Sequence, residues 1–93
     1  MISHMDIIAD SYRSSKDMKT RQMFAYYEQN LKPKIEDIVR EKTNGEGIYY
    51  EAWIDLTDYY IPEHYKELRQ LDFDQAAELC VKYMIEQEKE YYS

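Results

Sequence analysis

The scarcity of large aliphatic side chains constrains this chain more than any other feature. Only 18 of its 93 residues are Ile, Leu, Val or Phe, about 19%, a share that borders on the composition of disordered proteins. Eleven tyrosines compensate, because each can bury a large ring while its hydroxyl stays hydrated or hydrogen-bonded. At this length we expect one small domain, over residues 5–93, with a thin, tyrosine-rich core. A homodimer is one way to supply the burial that such a core lacks.

Two glycines and two prolines leave few chain breaks, which favours helices over a meander of short strands. Apolar residues recur at spacings of three and four, so the sequence predicts an all-α bundle of five or six helices. Pro33 is expected to kink one helix or begin the next, and Pro62 to lie in the first turn of another. The predicted helices cover residues 5–14, 15–31, 33–43, 49–60, 62–68 and 72 onwards.

Local patterns predict how these helices end and which faces they bury. Residues 43–47 contain a glycine suited to the left-handed position that closes a helix. Asp72 with Gln75 forms a capping box that opens the last helix. The inner face of that helix is expected to carry Phe73, Ala76, Ala77, Cys80 and Met84. One ring of each adjacent tyrosine pair is expected to pack inward and the other to face a partner, in the pairs Tyr49/Tyr50, Tyr59/Tyr60 and Tyr91/Tyr92.

No pattern in the sequence is typical of catalysis or of cofactor binding. Cys80 is the only cysteine, so no internal disulfide can form, and a reducing cytoplasm is the expected setting. Between Leu79 and Val81 on an amphipathic helix, Cys80 is expected to pack in the core rather than act as a nucleophile. His64 is interpreted as a surface or capping residue. We therefore predict no enzyme activity, no cofactor and no metal, and no apolar run is long enough to cross a membrane.

The first residues carry a separate signal. Ser3, His4 and Met5 match a frequent cloning remnant placed before a second start methionine. Residues 1–4 are interpreted either as such a remnant or as native sequence, and no functional argument uses them.

The negative charge is confined to the second half of the chain. The formal net charge is −7, but residues 1–42 have a net charge of +1 and residues 43–93 one of −8. Glu51, Asp55 and Asp58 share a helix face, although like charges at that spacing repel by on the order of a few tenths of a kcal/mol. Two interpretations stay open: the solvated face of an acidic protein, or a surface that a basic partner recognises as a polyanion.

The charge density can be compared with that of DNA. Duplex DNA carries about one charge per 1.7 Å of axis, so eight net charges correspond to about 14 Å of duplex. Two copies placed end to end correspond to about 27 Å, or about eight base pairs. Direct binding of nucleic acid is not expected, because it requires an excess of cations.

Residues 52–68 resemble a segment of the Ocr antirestriction family of bacteriophages, in which an acidic helix ends in Asp-x-x-(Val/Ile)-Pro-x-x-Tyr-x-acid-aliphatic. The places of this motif are filled here by Asp58, Ile61, Pro62, Tyr65, Glu67 and Leu68. The resemblance implies a small, acidic, mainly helical and dimeric protein that mimics B-form DNA and occupies the DNA groove of type I restriction–modification enzymes. The residues that it implies as substitutes for phosphates are Asp55, Asp58, Glu63 and Glu67. Unlike the family, this chain has a first part that is not acidic, so the target can be another protein.

Two hypotheses of function follow. In the first, the chain is a phage-type inhibitor in the host cytoplasm that binds a basic nucleic-acid-binding host protein, a restriction or other defence enzyme. In the second, it is a helical interaction module, such as an anti-CRISPR protein, an antitoxin or a transcription-factor binder, anchored by Trp53 and the tyrosines. The predicted partner-binding residues are Glu46, Glu51, Asp55, Asp58, Glu63, Glu67, Asp72, Asp74, Tyr59 and Trp53.

Overall fold

The structure, a computed structural model, describes residues 17–92, with side chains to residue 90. This part of the chain forms one small all-α domain of three helices joined by two short connections. Helix α1 spans residues 18–42, α2 spans residues 50–68 and α3 is Phe73–Tyr92. None of these three helices combines the length and the apolar character needed to cross a bilayer.

Both α1 and α2 contain a π-helical turn in the middle of the helix. The successive stretches of α1 are Met18–Tyr26 (α), Tyr27–Leu31 (π) and Lys32–Lys42 (α). The successive stretches of α2 are Tyr50–Asp55 (α), Leu56–Tyr60 (π) and Ile61–Leu68 (α). Each helix is therefore continuous, with one wider turn inside it.

A proline follows each π turn at the same position. Pro33 and Pro62 are the second residues of the α-helical stretches that come after the π turns. In an uninterrupted α-helix, a proline ring clashes with the carbonyl four residues back and removes one hydrogen bond. At these turns the amide just before the proline donates a hydrogen bond to the carbonyl five residues back. Lys32 N–H donates to the Tyr27 carbonyl in α1, and Ile61 N–H donates to the Leu56 carbonyl in α2. The wider turn lets each helix continue past its proline.

The prediction of five or six helices is wrong for this reason. The described residues form three helices, because neither Pro33 nor Pro62 ends a helix. The all-α class is confirmed. The helix predicted over residues 5–14 lies outside the described residues, as do the side chains of the pair Tyr91 and Tyr92.

Side-chain caps fix the starts of α1 and α3. The Asp17 carboxylate accepts hydrogen bonds from Lys19 N–H at 3.1 Å and from the Thr20 hydroxyl at 2.8 Å. Asp72 accepts a hydrogen bond from Gln75 N–H at 2.8 Å, which confirms the predicted cap of the last helix.

Helix α1 ends in a left-handed turn. Asn44 has a φ of 54° and Gly45 a φ of 86°, and Gly45 N–H bonds to the Arg40 carbonyl at 2.8 Å. The Thr43 hydroxyl accepts a hydrogen bond from Gly47 N–H at 2.9 Å, which tightens the turn further. The predicted helix end at residues 43–47 is therefore confirmed, with Asn44 in the first left-handed position.

Helix α3 supplies the centre of the core. It packs against residues 32–42 of α1, against residues 50–55 of α2 and against both π turns. The buried residues of its inner face are Ala76, Ala77, Cys80, Val81 and Met84. This face agrees with the prediction except at Phe73, which begins the helix and is 44% exposed.

The tyrosine pairs follow the prediction in part. Tyr59 is exposed and Tyr60 half-buried, so one ring of this pair packs inward as expected. Tyr49 and Tyr50 are both exposed, because they stand at the start of α2 where little of the core lies beside them.

Candidate partner-binding site

Two stacked tyrosines join the outer sides of α2 and α3. The rings of Tyr60 and Tyr83 have centroids 4.6 Å apart and planes inclined by 24°. The Tyr60 ring also lies against the His64 imidazole, with ring centroids 4.6 Å apart. Both tyrosines are half-buried, so the stack brings neighbouring side chains of two helices to one common surface.

Three carboxylates and a third tyrosine act electrostatically on the Tyr83 hydroxyl. Burial is the largest cause that raises the pKa of Tyr83. The carboxylates of Asp55, Glu63 and Glu90 raise the pKa of that hydroxyl further, and Tyr59 adds to the effect. Carboxylates from both α2 and α3 therefore act electrostatically on the same hydroxyl.

Two more carboxylates lie around Tyr60. Burial, followed by Cys80, raises the pKa of Tyr60, and the carboxylates of Glu67 and Glu86 raise it further. Glu67 also contacts the His64 Nδ1 atom, at 3.1 Å from its Oε2 oxygen. The acidic strip is defined here as Asp55, Glu63, Glu67, Glu86 and Glu90.

The π turn of α2 helps to align its part of the strip. Asp55, Tyr59, Glu63 and Glu67 are spaced four residues apart. A π turn has more residues per turn than an α-helix, so residues four apart stay closer to one side across it. Tyr59 is 64% exposed and stands between Asp55 and Glu63 in this series. Asp58, three residues after Asp55, instead lines a cavity between α1 and α2.

The α3 part of the strip was not among the predicted site residues. Leu79, Tyr83, Glu86 and Glu90 recur at spacings of four, three and four, which places them on one flank of α3. That spacing was the available signal. The sequence does not show that this flank lies beside Tyr60, because the contact depends on how α2 and α3 pack.

Two predicted site residues lie away from the strip, at the start of α3. Asp72 caps that helix, and Asp74 forms an ion pair with Lys34 at 2.8 Å. The hydrogen bond to Asp74, followed by its charge, raises the pKa of Lys34. Asp74 and Glu86 are twelve residues apart, about 18 Å along the helix axis. A lysine of α1 therefore neutralises one of the predicted carboxylates.

The other predicted residues lie at or before the start of α2. Glu46 is exposed in the connection after α1, and Glu51 lies in the first turn of α2. The charge of Glu51, followed by its hydrogen bond, raises the pKa of Tyr50. Trp53 is half-buried, packs against the core and borders a crevice beside Ile48. Trp53 is therefore mainly a residue of the packed interior and not an exposed anchor for a partner.

Cys80 packs in the core, as the sequence predicts. Burial raises the pKa of its thiol to about 12, so the thiol stays protonated at neutral pH. Within residues 17–92, no three His, Cys, Asp or Glu side chains are grouped as a metal ion would require. The acidic strip offers carboxylate oxygens and the tyrosine stack offers aromatic rings, and both groups bind lysine and arginine side chains.

Fold and site together define a small all-α protein that gathers carboxylates around a tyrosine stack. No protein-family model matches the chain, and neither a curated protein nor a solved structure matches it. The resemblance of residues 52–68 to the Ocr antirestriction family stays a prediction from the sequence.

Proposed function

We propose that this chain is an inhibitor that mimics duplex DNA and occupies the nucleic-acid-binding surface of a host defence protein, such as a restriction enzyme. The acidic strip is the observation that carries this proposal. Its carboxylates come from two helices, and each of them raises the pKa of one of two stacked tyrosines. Lysines and arginines that normally hold phosphates would pair with these carboxylates.

The length of the strip sets how much DNA one copy imitates. Asp55 and Glu67 are twelve residues apart on α2, which is about 18 Å of helix. At about 3.4 Å per base pair this corresponds to about five base pairs of duplex. One copy therefore imitates a fragment, and two copies end to end would imitate a length closer to the footprint of a DNA-binding groove. The proposal includes such a homodimer for that reason.

The tyrosines add a contact that phosphates lack. Tyr59 is the most exposed of the large apolar side chains in the described residues, and it lies one helical turn from both Asp55 and Glu63 along α2. An arginine that pairs with a strip carboxylate can also stack on this ring. The negative field of the strip would speed association with a cationic groove, and salt would screen it.

The direct test removes charge from the strip without changing side-chain size. The variant Glu63→Gln/Glu67→Gln/Glu86→Gln changes three exposed residues. We expect it to compete with duplex DNA for the basic partner at least about tenfold less well, since truncating a charge pair in an interface costs on the order of 2 kcal/mol. A gel competition assay measures this, with a partner captured from host lysate and eluted by a salt gradient.

The matched control removes three negative charges from α1. The variant Glu36→Gln/Asp37→Asn/Glu41→Gln also changes exposed residues and is expected to compete like the wild type. Equal losses in both variants would mean that net charge alone drives binding. Unchanged competition by the strip variant would contradict the proposal outright.

One observation favours the second candidate function, a helical interaction module held by an aromatic anchor. Tyr59 is 64% exposed, whereas Trp53 packs against the core, so Tyr59→Ala probes the anchor with less effect on stability. If the module hypothesis is right, Tyr59→Ala abolishes partner binding and the triple strip variant has a mild effect. If the DNA mimic is right, the order of the two effects is reversed.

A further inference from the structure

A basic groove lies on a different part of the surface from the acidic strip. It occupies about 470 Å³ where the start of α1 meets the end of α2. The residues that line it are Lys19, Gln22, Tyr65, Lys66, Arg69 and Gln70. Three of these six carry a positive charge and none carries a negative one, in a chain with a net charge of −7.

Among residues 17–92, the three cations of this groove, Lys19, Lys66 and Arg69, form no ion pairs. Asp17 caps α1 through Lys19 N–H and the Thr20 hydroxyl, and the Lys19 charge is the smallest of the causes that lower the pKa of Asp17. The charge of the groove is therefore available to an anion from solution.

Aromatic contacts restrain the arginine of the groove. The guanidinium carbon of Arg69 lies 5.3 Å from the centroid of the Tyr65 ring. Tyr65 in turn meets the edge of Tyr26, with ring centroids 5.7 Å apart. These contacts limit the motion of Arg69 without supplying a hydrogen-bond acceptor, so its N–H donors stay available to a ligand.

We propose that the basic groove binds the phosphate group of a small molecule, with Lys19, Lys66 and Arg69 contacting the phosphate oxygens. Arginine is suited to two-point hydrogen bonding with phosphate, and lysine adds point charge. The amides of Gln22 and Gln70 can donate further hydrogen bonds. The volume falls in the range of about 300–1,000 Å³ that is typical of small-molecule sites.

The net charge of the protein favours a small anion over a nucleic acid as the ligand. A polyanion approaching the groove meets the repulsion of the whole acidic protein over many charges. A single phosphate or diphosphate meets less repulsion and fits between three cations. This proposal does not depend on the proposed function, because it uses none of the residues of the acidic strip.

Titration of the full chain at low ionic strength tests the site, with backbone and side-chain amide NMR signals as the readout. Inorganic pyrophosphate and a nucleoside diphosphate are the two ligands, and a single-stranded oligonucleotide is titrated for comparison. We expect saturable shifts at Gln22, Gln70 and Arg69 with both ligands. Equal affinities indicate that the groove recognises the phosphates alone, and tighter binding of the nucleotide indicates that the nucleoside also contacts it.

Charge-matched variants make the test specific. Lys66→Gln/Arg69→Gln should weaken pyrophosphate binding at least about tenfold, because the loss of one hydrogen bond to a charged group lowers affinity by about tenfold. Lys82→Gln/Lys89→Gln removes two exposed cations of α3, outside the groove, and should leave the affinity unchanged. Lys19→Gln alone, on another helix, provides a second groove variant if the double one unfolds.

Three results would overturn the proposal. The first is the absence of saturable shifts with either ligand. The second is equal weakening by the groove and α3 variants, which would indicate a diffuse charge effect. The third is a preference for a single-stranded oligonucleotide over both small ligands, which would make the groove a nucleic-acid contact.

Discussion

Tyr26 and Tyr27 are neighbours in the sequence, yet their hydroxyls have different surroundings. The Tyr26 hydroxyl donates a hydrogen bond to the Leu68 carbonyl at 3.2 Å, which ties α1 to the end of α2. The Tyr27 hydroxyl is buried without a hydrogen-bond partner in the described part of the chain. Burial of that hydroxyl raises its pKa strongly. An unsatisfied buried donor lowers stability relative to an apolar group of the same shape.

Tyr27→Phe should therefore raise the free energy of unfolding, by about 1 kcal/mol. Tyr26→Phe is the matched control and should lower it by a similar amount, because the Leu68 carbonyl loses its donor. Urea denaturation of both variants and the wild type measures the difference. Destabilisation by Tyr27→Phe would reveal that the hydroxyl has a partner, such as a buried water.

Cys80 makes stability depend on pH in the alkaline range. Burial raises the pKa of its thiol from 9.0 to about 12, so between these values the folded state holds a proton that the unfolded state releases. The stabilisation is fully present below about pH 9 and is lost as the pH rises towards 12, by at most about 1.4 kcal/mol per pH unit.

Denaturation of the wild type and of Cys80→Ala at several alkaline pH values checks this effect. We expect the free energy of unfolding of the wild type to fall more steeply with pH than that of Cys80→Ala. Besides burial, Cys80 raises the pKa values of Tyr26, Tyr27 and Tyr60, so the difference between the two proteins includes its effect on those tyrosines. Parallel curves would show that Cys80 does not cause the loss.

At the scale of helices, the sequence predicted correctly those features that depend only on residues within a few positions of one another. The cap at Asp72 depends on a residue three positions away, and the inner face of α3 from Ala76 to Met84 depends on spacing within one helix. The prediction that Pro33 and Pro62 begin new helices was wrong, because whether a proline ends a helix depends on contacts with distant residues. A π turn is stable before Pro33 and Pro62 when the residues of that turn are buried, as Leu31 and Thr57 are.

Variants of Asp72 can distinguish its observed role as a helix cap from its predicted role in partner binding. Asp72→Ala should lower the free energy of unfolding by about 1 kcal/mol, because α3 loses its N-terminal cap, whereas Asp72→Asn should retain most of the stability. Both variants should compete with DNA for the partner like the wild type once folding is accounted for. Urea denaturation and gel competition measure the two effects. If the folded Asp72→Asn variant competed less well than the wild type, Asp72 would be shown to contact the partner.

For the whole molecule, the sequence predicted the charge but only part of its arrangement. The negative surplus of residues 43–93 was evident, and Asp55, Glu63 and Glu67 each raise the pKa of a tyrosine in the stack of Tyr60 and Tyr83. Glu86 was not among the predicted site residues, and Asp74, which was, forms an ion pair with Lys34 of α1, because both outcomes depend on which helices are neighbours. Spacing along a chain defines the faces of a helix but not what packs beside them.

Gathering like charges should have a measurable effect on stability. Neutralising Glu63, Glu67 and Glu86 with glutamine should raise the free energy of unfolding by about 0.5 kcal/mol at low ionic strength, because several repulsions of a few tenths each are relieved. Added salt should stabilise the wild type more than this variant, because it screens the same repulsions. Thermal denaturation over a salt series measures both. An equal salt response in the two proteins would argue against concentrated charge.

The two π turns also have an evolutionary consequence. A turn that bonds five residues back holds one residue more than the α-helical turn it replaces, so in an alignment each turn corresponds to a single inserted position. A descendant that deleted one residue from Leu56–Tyr60 would regain a regular helix, and Pro62 would then clash with the preceding turn. Insertion and proline are therefore expected to be inherited as a pair, and a distant homologue that has neither should align with a one-residue gap at each of the two places.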